Sequence, residues 1–263
     1  MSKKIIKIYY RKVFPMTVND LFLRSVRLKE PDEQLKNSYV FTLPAVRQLE
    51  QEGGLAFSKR VTLFVGENGT GKSTLLEAIA IACGFNPEGG TRNFDFASKE
   101  THSPLYQALS VTRGVTRPRD GFFLRAESFY NVASEVDRLN GILPPMQCYG
   151  DRSLHDQSHG EGILSLVLNR FGENGLYLLD EPEAALSPAS QLALLARICD
   201  LAKTSQLLIA THSPILLACP NADVFELTEH GMTRTDYKQT THYTLTKQFL
   251  NCPERILGLL LQE

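Results

Sequence analysis

Eight consecutive residues have the types and spacing of a phosphate-binding loop. They read GENGTGKS, span 66–73 and fit the pattern G-x-x-x-x-G-K-[ST]. The glycines let the backbone curl so that its N–H groups face phosphate oxygens, and the N-terminus of a following helix adds its positive dipole end. Lys72 is expected to reach the β- and γ-phosphates, and the Ser73 hydroxyl to face Mg²⁺. The candidate nucleotide contacts are Gly66, Glu67, Asn68, Gly69, Thr70, Gly71, Lys72, Ser73 and Thr74.

The segments on either side of this loop have the structure that such a loop requires. Before it, VTLFV (61–65) is a short β-branched run that predicts a strand. After it, TLLEAIAIAC (74–83) predicts a helix that Gly84 ends. A glycine-rich turn capping a strand is the simpler alternative. The order strand, loop, helix instead favours a nucleotide phosphate site.

A second motif, LYLLDEPEAALS (176–187), supplies two adjacent carboxylates. Asp180 ends a run that is nearly all apolar, as a central parallel strand should be. A carboxylate at that strand end can hold Mg²⁺ beside the phosphate loop. Glu181 is one residue further on, where it can accept a proton from an attacking water. An exposed acidic strand end is the alternative, but the loop in the same chain favours the metal site.

Composition and charge exclude several classes of protein. The 263 residues are 43% hydrophobic and 22% charged, as in an ordinary globular protein, and the net charge is −1. No global field therefore attracts nucleic acid, and such contact would need a partner or a local patch, for example TRGVTRPRD (112–120). The five cysteines are scattered without a C-x-x-C pair, which favours reduced thiols in the cytoplasm. No apolar run is long enough to span a membrane.

The remaining pattern predicts an α/β fold with a mainly parallel central sheet. Residues 1–60 alternate apolar and polar side chains in KIIKIYY, FLRSVRL, YVFTL and LAFSKRVTLFV, which predicts an N-terminal antiparallel β subdomain. GFFLRAESF and QLLIATHSP predict two further parallel strands. Residues 85–120 predict loops with a short helix, within a small lobe of about 85–157. We expect one domain over 1–263, with its nucleotide-binding core at 61–84 and 158–215.

The motifs GENGTGKS, SHGEG, LLDEPEAALS and IATHSP follow one another in an order that resembles the ATP-binding-cassette (ABC) ATPase superfamily. The resemblance covers about residues 60–215. DEPE and ATHSP look more like the stand-alone and DNA-associated branches (SMC-like, RecF-like and OLD-type ATPases, and the small predicted AAA-family ATPases) than like transporter subunits. This resemblance implies a P-loop NTPase fold with a small helical lobe, and ATP and Mg²⁺ as cofactors.

The resemblance also assigns roles to residues outside the loop. Ser158, Gly160 and Glu161 stand where the family has its S-G-G-Q signature, which binds the γ-phosphate held by the other subunit. It therefore implies a head-to-tail homodimer that forms around ATP. A plain capping box would look the same, because Ser158 and Glu161 have its spacing. Residues 184–187 match the D-loop.

The catalytic set that the resemblance implies is Glu181 as catalytic glutamate, His212 as switch histidine, and Lys72. The family's Q-loop glutamine is absent. Glu127 or Ser128 would take its place, with Gln107 a weaker candidate. If Glu127 does so, it joins Ser73 and Asp180 as a metal ligand.

The sequence thus predicts a Mg²⁺-dependent ATPase that drives or gates a protein partner, such as a nuclease, in DNA repair or anti-phage defence. Two alternatives stay open: the nucleotide-binding subunit of a transporter, and an ATP sensor that does not hydrolyse. The DEPE and ATHSP patterns argue against the first, and an intact Glu181 argues against the second. Small-molecule kinases share the loop but not the signature, D-loop and switch histidine together.

Overall fold

The computed structural model of the chain describes residues 20–92, 102–140 and 157–261, without the side chains of 135–140. Within these ranges the strands are β1 (Leu23–Leu28), β2 (Leu55–Ala56), β3 (Val61–Gly66), β4 (Leu109–Arg113), β5 (Asp120–Arg125), β6 (Gly175–Asp180), β7 (Gln206–Ala210), β8 (Ala222–Thr228) and β9 (Gly231–Thr235). The helices are α1 (Glu33–Lys36), α2 (Pro44–Gln51), α3 (Lys72–Ala82), α4 (Leu105–Ala108), α5 (Phe129–Asn140), α6 (His159–Asn169), α7 (Pro188–Leu201), α8 (Pro214–Leu217), α9 (Thr241–Asn251) and α10 (Pro253–Leu261).

The central sheet has six described strands in the order β5-β6-β7-β3-β8-β9. The first five run parallel, and β9 pairs antiparallel with β8 across a hairpin. Every residue of β3, β6 and β7 is buried. Parallel strands place their carboxyl ends at one edge of a sheet, and ligands in open α/β sheets bind at that edge. Here that edge carries the ends of β3, β6 and β7 side by side.

Apolar layers cover both faces of this sheet, and alternate residues of each strand enter different layers. In β6, Leu176 and Leu178 belong to one core with α2, α3 and the smaller sheet, whereas Tyr177 and Leu179 belong to the other. The second core is completed by side chains of α5, α6, α7 and α8. The sheet is therefore held rigidly between two layers, which fixes the positions of its strand ends.

The smaller sheet is antiparallel, in the order β2-β1-β4. A buried glutamine joins it to the central sheet. The Gln206 amide accepts from Leu23 N and donates to Leu23 O, both at 2.8 Å. The predicted class, α/β with a mainly parallel central sheet and an antiparallel β part, is confirmed.

Two local predictions in this region were wrong. YVFTL is not a strand but a 3₁₀ helix, Tyr39–Thr42, and α2 begins directly after it at Pro44, which suits a first helical position. Residues 85–120 are not only loops and a short helix, because they contain β4, which pairs with β1. The antiparallel sheet therefore takes a strand from the segment predicted as a lobe. KIIKIYY lies outside the described residues.

Candidate nucleotide-binding site

The phosphate loop joins β3 to α3 at the carboxyl edge of the central sheet. Gly71, the residue before α3, has φ 95°, in the left-handed region that glycine adopts without strain. A Cβ on Gly66 would overlap the carbonyl oxygen of Leu227 in β8. The first intrahelical bond of α3 runs from Leu75 N to Gly71 O at 2.9 Å. The N–H groups of the preceding turn have no partner inside the helix, which makes this end suitable for an anion.

Lys72 lies inside the loop, with 4% of its surface exposed. Its Nζ donates to Gly66 O at 2.8 Å and to Glu67 O at 2.9 Å. Burial lowers the pKa of Lys72, and the carboxylates of Glu181 and Asp180 oppose that shift. The ammonium is thus held where the loop would enclose a phosphate.

Ser73 and Asp180 come together across the sheet edge, from α3 and the end of β6. The Ser73 hydroxyl donates to Asp180 Oδ1 at 2.9 Å. Burial raises the pKa of Asp180 to about 6, although the Ser73 hydrogen bond and the Arg125 charge both lower it. Hydroxyl and carboxylate oxygens are ligands that Mg²⁺ prefers. No cluster of three or more His, Cys, Asp or Glu that could hold a metal occurs among the described residues.

Glu181 and His212 come together at the same edge, after β6 and β7. His212 Nε2 lies 3.3 Å from Glu181 Oε1. That nitrogen is buried without a hydrogen bond of suitable geometry within the described part of the chain. Glu181 has φ 51°, a strained backbone for this residue type, and its N–H donates to Ala210 O at 2.9 Å. His212 Nε2 thus faces the Glu181 carboxylate without a well-formed hydrogen bond, and its N–H can donate to a phosphate oxygen.

The signature residues form the N-terminus of α6. Ser158 and Glu161 make a complete capping box, and the Ser158 hydroxyl donates to Glu161 Oε2 at 2.7 Å. Gly160 is buried, and a Cβ there would overlap the carbonyl oxygen of Ala185 in the D-loop. These contacts run to α6 and to the D-loop. The role of the signature residues toward ATP stays a prediction, and it requires a second subunit.

The contacts found for the three Q-loop candidates run to residues other than Ser73 and Asp180. The Glu127 side chain is 89% exposed and lies 3.8 Å from Arg125. The Ser128 hydroxyl donates to Glu88 O at 2.6 Å, and Gln107 Nε2 lies 3.4 Å from the Tyr106 hydroxyl. The role of Glu127 as a metal ligand is not supported by any of these contacts and stays a prediction.

Three residues near the site were missed in the sequence. Arg125, at the end of β5, pairs with Glu77 at 2.6 Å and lies 3.9 Å from Asp180 Oδ2. Glu183 accepts from the Thr211 hydroxyl at 2.7 Å and from His212 N at 2.6 Å, which holds the end of β7 in place. His242 contacts His212. A charged residue at the end of the apolar run GFFLR was a usable signal for Arg125; the others depend on tertiary contacts.

A cavity of about 490 Å³ lies against the first half of the loop. Residues 66–70 line one side of it, and the β8–β9 hairpin, Pro44, Thr241 and His242 line the rest.

No helix among the described residues is both long and apolar enough to cross a membrane.

Two protein-family models match the chain on either side of residues 119–149. One, described as "AAA domain", matches residues 42–118. The other, described as "AAA domain, putative AbiEii toxin, Type IV TA system", matches residues 150–218. The first match contains the phosphate loop, and the second contains the signature, the DEPE motif and His212. Both matching models describe AAA domains, so the predicted resemblance to AAA-family ATPases is confirmed.

Similar folds occur among solved structures. A metal-chelate type ABC transporter in an inward-facing conformation is 21% identical, with 88% of this chain and 89% of that chain covered and a TM-score of 0.44. An ATP-binding cassette of an ABC transporter is 13% identical, with 88% and 98% covered and a TM-score of 0.47. The SMC head domain from Thermotoga maritima is 16% identical, with 82% and 99% covered and a TM-score of 0.40. No curated protein shows a significant match.

Proposed function

We propose that this protein is a Mg²⁺-dependent ATPase whose ATP-bound form is a head-to-tail homodimer that drives or gates a protein partner. The observation that carries the proposal is the meeting of two pairs at one sheet edge. Ser73 contacts Asp180, and Glu181 lies beside His212. Both pairs adjoin a phosphate loop whose lysine is held inside it. A structural role for the loop alone would not require either pair.

Each side chain has a distinct part in hydrolysis. Lys72 and the loop N–H groups hold the phosphates and neutralise charge that develops on them. Ser73 and Asp180 would hold Mg²⁺, which when bound polarises the phosphates. Glu181 accepts the proton of the attacking water. The Nε2–H of His212 donates to the γ-phosphate, since its 3.3 Å approach to Glu181 Oε1 is not a well-formed hydrogen bond.

The dimer follows from the position of the signature. The N-terminus of α6 exposes Ser158 and Glu161, and a helix N-terminus attracts a phosphate through its free N–H groups and dipole. The resemblance to the ABC ATPase superfamily assigns this helix end to the ATP of a second copy. We also propose that the partner acts in anti-phage defence and that the chain is not a transporter subunit. One matching family model carries a toxin–antitoxin description, which supports this choice.

Subunit mixing tests this proposal. The variant Lys72→Ala should not bind ATP, because it removes the charge aimed at the phosphates. Ser158→Arg should bind ATP but not dimerise, because its positive side chain blocks the helix N-terminus. Mixed together, the two leave one intact composite site, so hydrolysis should rise above that of either variant alone. Asn169→Arg, at the exposed end of the same helix, is the matched control and should behave as the wild type.

Sedimentation provides a second, independent measurement. The wild type should be monomeric without nucleotide and dimeric with ATP and Mg²⁺. Ser158→Asp keeps a good N-cap, but its carboxylate repels phosphate, so it too should stay monomeric. An unchanged mass for the wild type and for Glu181→Gln with ATP would rule out the shared site. Unchanged ATP affinity of Lys72→Ala would rule out the phosphate loop itself.

A further inference from the structure

His242, near the start of α9, contacts the ring of His212 directly. His212 Nδ1 lies 3.1 Å from His242 Nε2, and the ring centroids are 5.2 Å apart. Hydrogen bonds fix the beginning of α9 on both sides of this contact. The fully buried Thr240 caps the helix through a bond from Tyr243 N, and Thr241 N donates to Glu226 Oε1 at 2.7 Å. The imidazole of His242 is therefore held against His212 by the backbone that carries it.

A bond between two ring nitrogens allows only certain proton positions. In a neutral imidazole one nitrogen donates and the other accepts. For His212 to present an N–H at Nε2, its Nδ1 must be the acceptor, and His242 Nε2 must then carry the donor proton. The Nδ1 of His242 is buried without a hydrogen-bond partner among the described residues, as suits the nitrogen without a proton in that tautomer. One arrangement thus satisfies the contact and places an N–H on His212 Nε2, on the side of the ring that faces Glu181.

We propose that His242 is a positioning residue that holds His212 in its Nε2–H tautomer, ready to donate to the γ-phosphate. This inference rests on the proposed function, since it concerns how the same site is prepared for hydrolysis. The groups around His212 support a neutral ring. Burial and the Lys72 ammonium lower the pKa of His212, His242 lowers it as well, and Glu181 opposes them. While His242 carries its proton on Nε2, a second proton on His212 would also place two N–H groups facing each other.

The test compares two replacements of nearly equal size at residue 242. His242→Gln offers an amide N–H that can still donate to His212 Nδ1. His242→Glu offers a carboxylate that accepts from it and draws the proton to Nδ1. The tautomer of His212 is read from nitrogen–proton correlation spectra of histidine-labelled protein, with His212→Gln to assign its signals. His230→Gln, on a side chain that is 87% exposed, is the matched control.

We expect the wild type, His242→Gln and His230→Gln to show His212 protonated at Nε2, and His242→Glu to show it at Nδ1. The kcat of His242→Glu should fall about 10- to 100-fold, the range found for partners that orient metal-bound histidines. The KM for ATP should change by less than about threefold, because Lys72 and the loop that hold the phosphates are unchanged.

Equal kcat and equal His212 spectra for His242→Gln and His242→Glu would overturn the proposal, as would a wild-type His212 protonated at Nδ1. The spectra need no hydrolysis. If the wild type hydrolyses no ATP, the proposed function fails, while the tautomer of His212 still decides whether His242 positions it.

Discussion

The Ser73 hydroxyl donates to Asp180 Oδ1 at 2.9 Å, although Asp180 is a buried carboxyl whose pKa burial raises to about 6. A proton on Asp180 removes a Mg²⁺ ligand, so hydrolysis at limiting Mg²⁺ should fall as the pH drops through about 6. Because Mg²⁺ and the proton compete for this carboxylate, the midpoint should shift to lower pH as Mg²⁺ is raised. Rate–pH profiles at several Mg²⁺ concentrations check this. A midpoint that stays the same at every Mg²⁺ concentration would contradict the assignment of Asp180 as a Mg²⁺ ligand.

The substitution Asp180→Asn should raise the stability of the protein and abolish its activity. The raised pKa means that the folded state binds this proton more tightly than the unfolded state, so the ionised form costs stability above about pH 6. At pH 8 the amide should increase the free energy of unfolding by about 1–3 kcal/mol while abolishing Mg²⁺-dependent hydrolysis. The gain should shrink as the pH falls below 6, where Asp180 itself is protonated. Denaturant titrations at pH 8 and pH 5 measure the free energy of unfolding of the wild type and the variant. An equal increase in that free energy at the two pH values would refute the electrostatic cause.

Glu181→Gln should separate binding from hydrolysis. The amide keeps the shape of the side chain but cannot accept a proton near neutral pH, so hydrolysis should fall by at least ~10². Lys72, Ser73 and Asp180 are unchanged, so ATP should still bind and the dimer should accumulate. Single-turnover assays and ATP-binding titrations distinguish the two effects. Hydrolysis at the wild-type rate would place the catalytic carboxylate elsewhere, with Glu183 and Glu127 next to be tested.

Gly160→Ala should disturb the contact between α6 and the D-loop. Its Cβ would overlap the Ala185 carbonyl, and Ala185 already has φ 61°, so the backbone must shift at a cost of about 1–3 kcal/mol. Gly172→Ala is the control, since no atom lies within 4 Å of its added Cβ. Thermal unfolding of the two variants compares them directly. Equal melting temperatures would show that the close packing at Gly160 is not required.

The features predicted well from the sequence are those that neighbouring residues determine. The phosphate loop needs only its own glycines and its flanking strand and helix, and β6 is recognisable as an uninterrupted apolar run. The capping box at Ser158 depends on residues three positions apart. These signals are local and therefore readable without the fold.

The features that were missed depend on contacts between distant segments. YVFTL alternates as a strand does, but it forms a 3₁₀ helix in which only Val40 is buried. β4 is recognisable only through its pairing with β1. Arg125 belongs to the site because it lies near Asp180, and His242 because it contacts His212. Both pairs form only once the chain is folded. The charged end of GFFLR singles out Arg125, but spacing along the chain does not show which residue either side chain contacts.

Neither α9 nor α10 contains a buried residue, and several of their leucines are largely exposed. Segments with few buried apolar contacts open locally at lower free energy than the core. His242 lies in α9, so heating should separate it from His212 while the two sheets remain intact. The isolated protein should then lose hydrolysis several degrees below its cooperative unfolding, and amides of 241–261 should exchange with solvent faster than those of the two sheets. The temperature of heat inactivation would then be set by the opening of α9 and α10, and not by the cooperative unfolding of the domain.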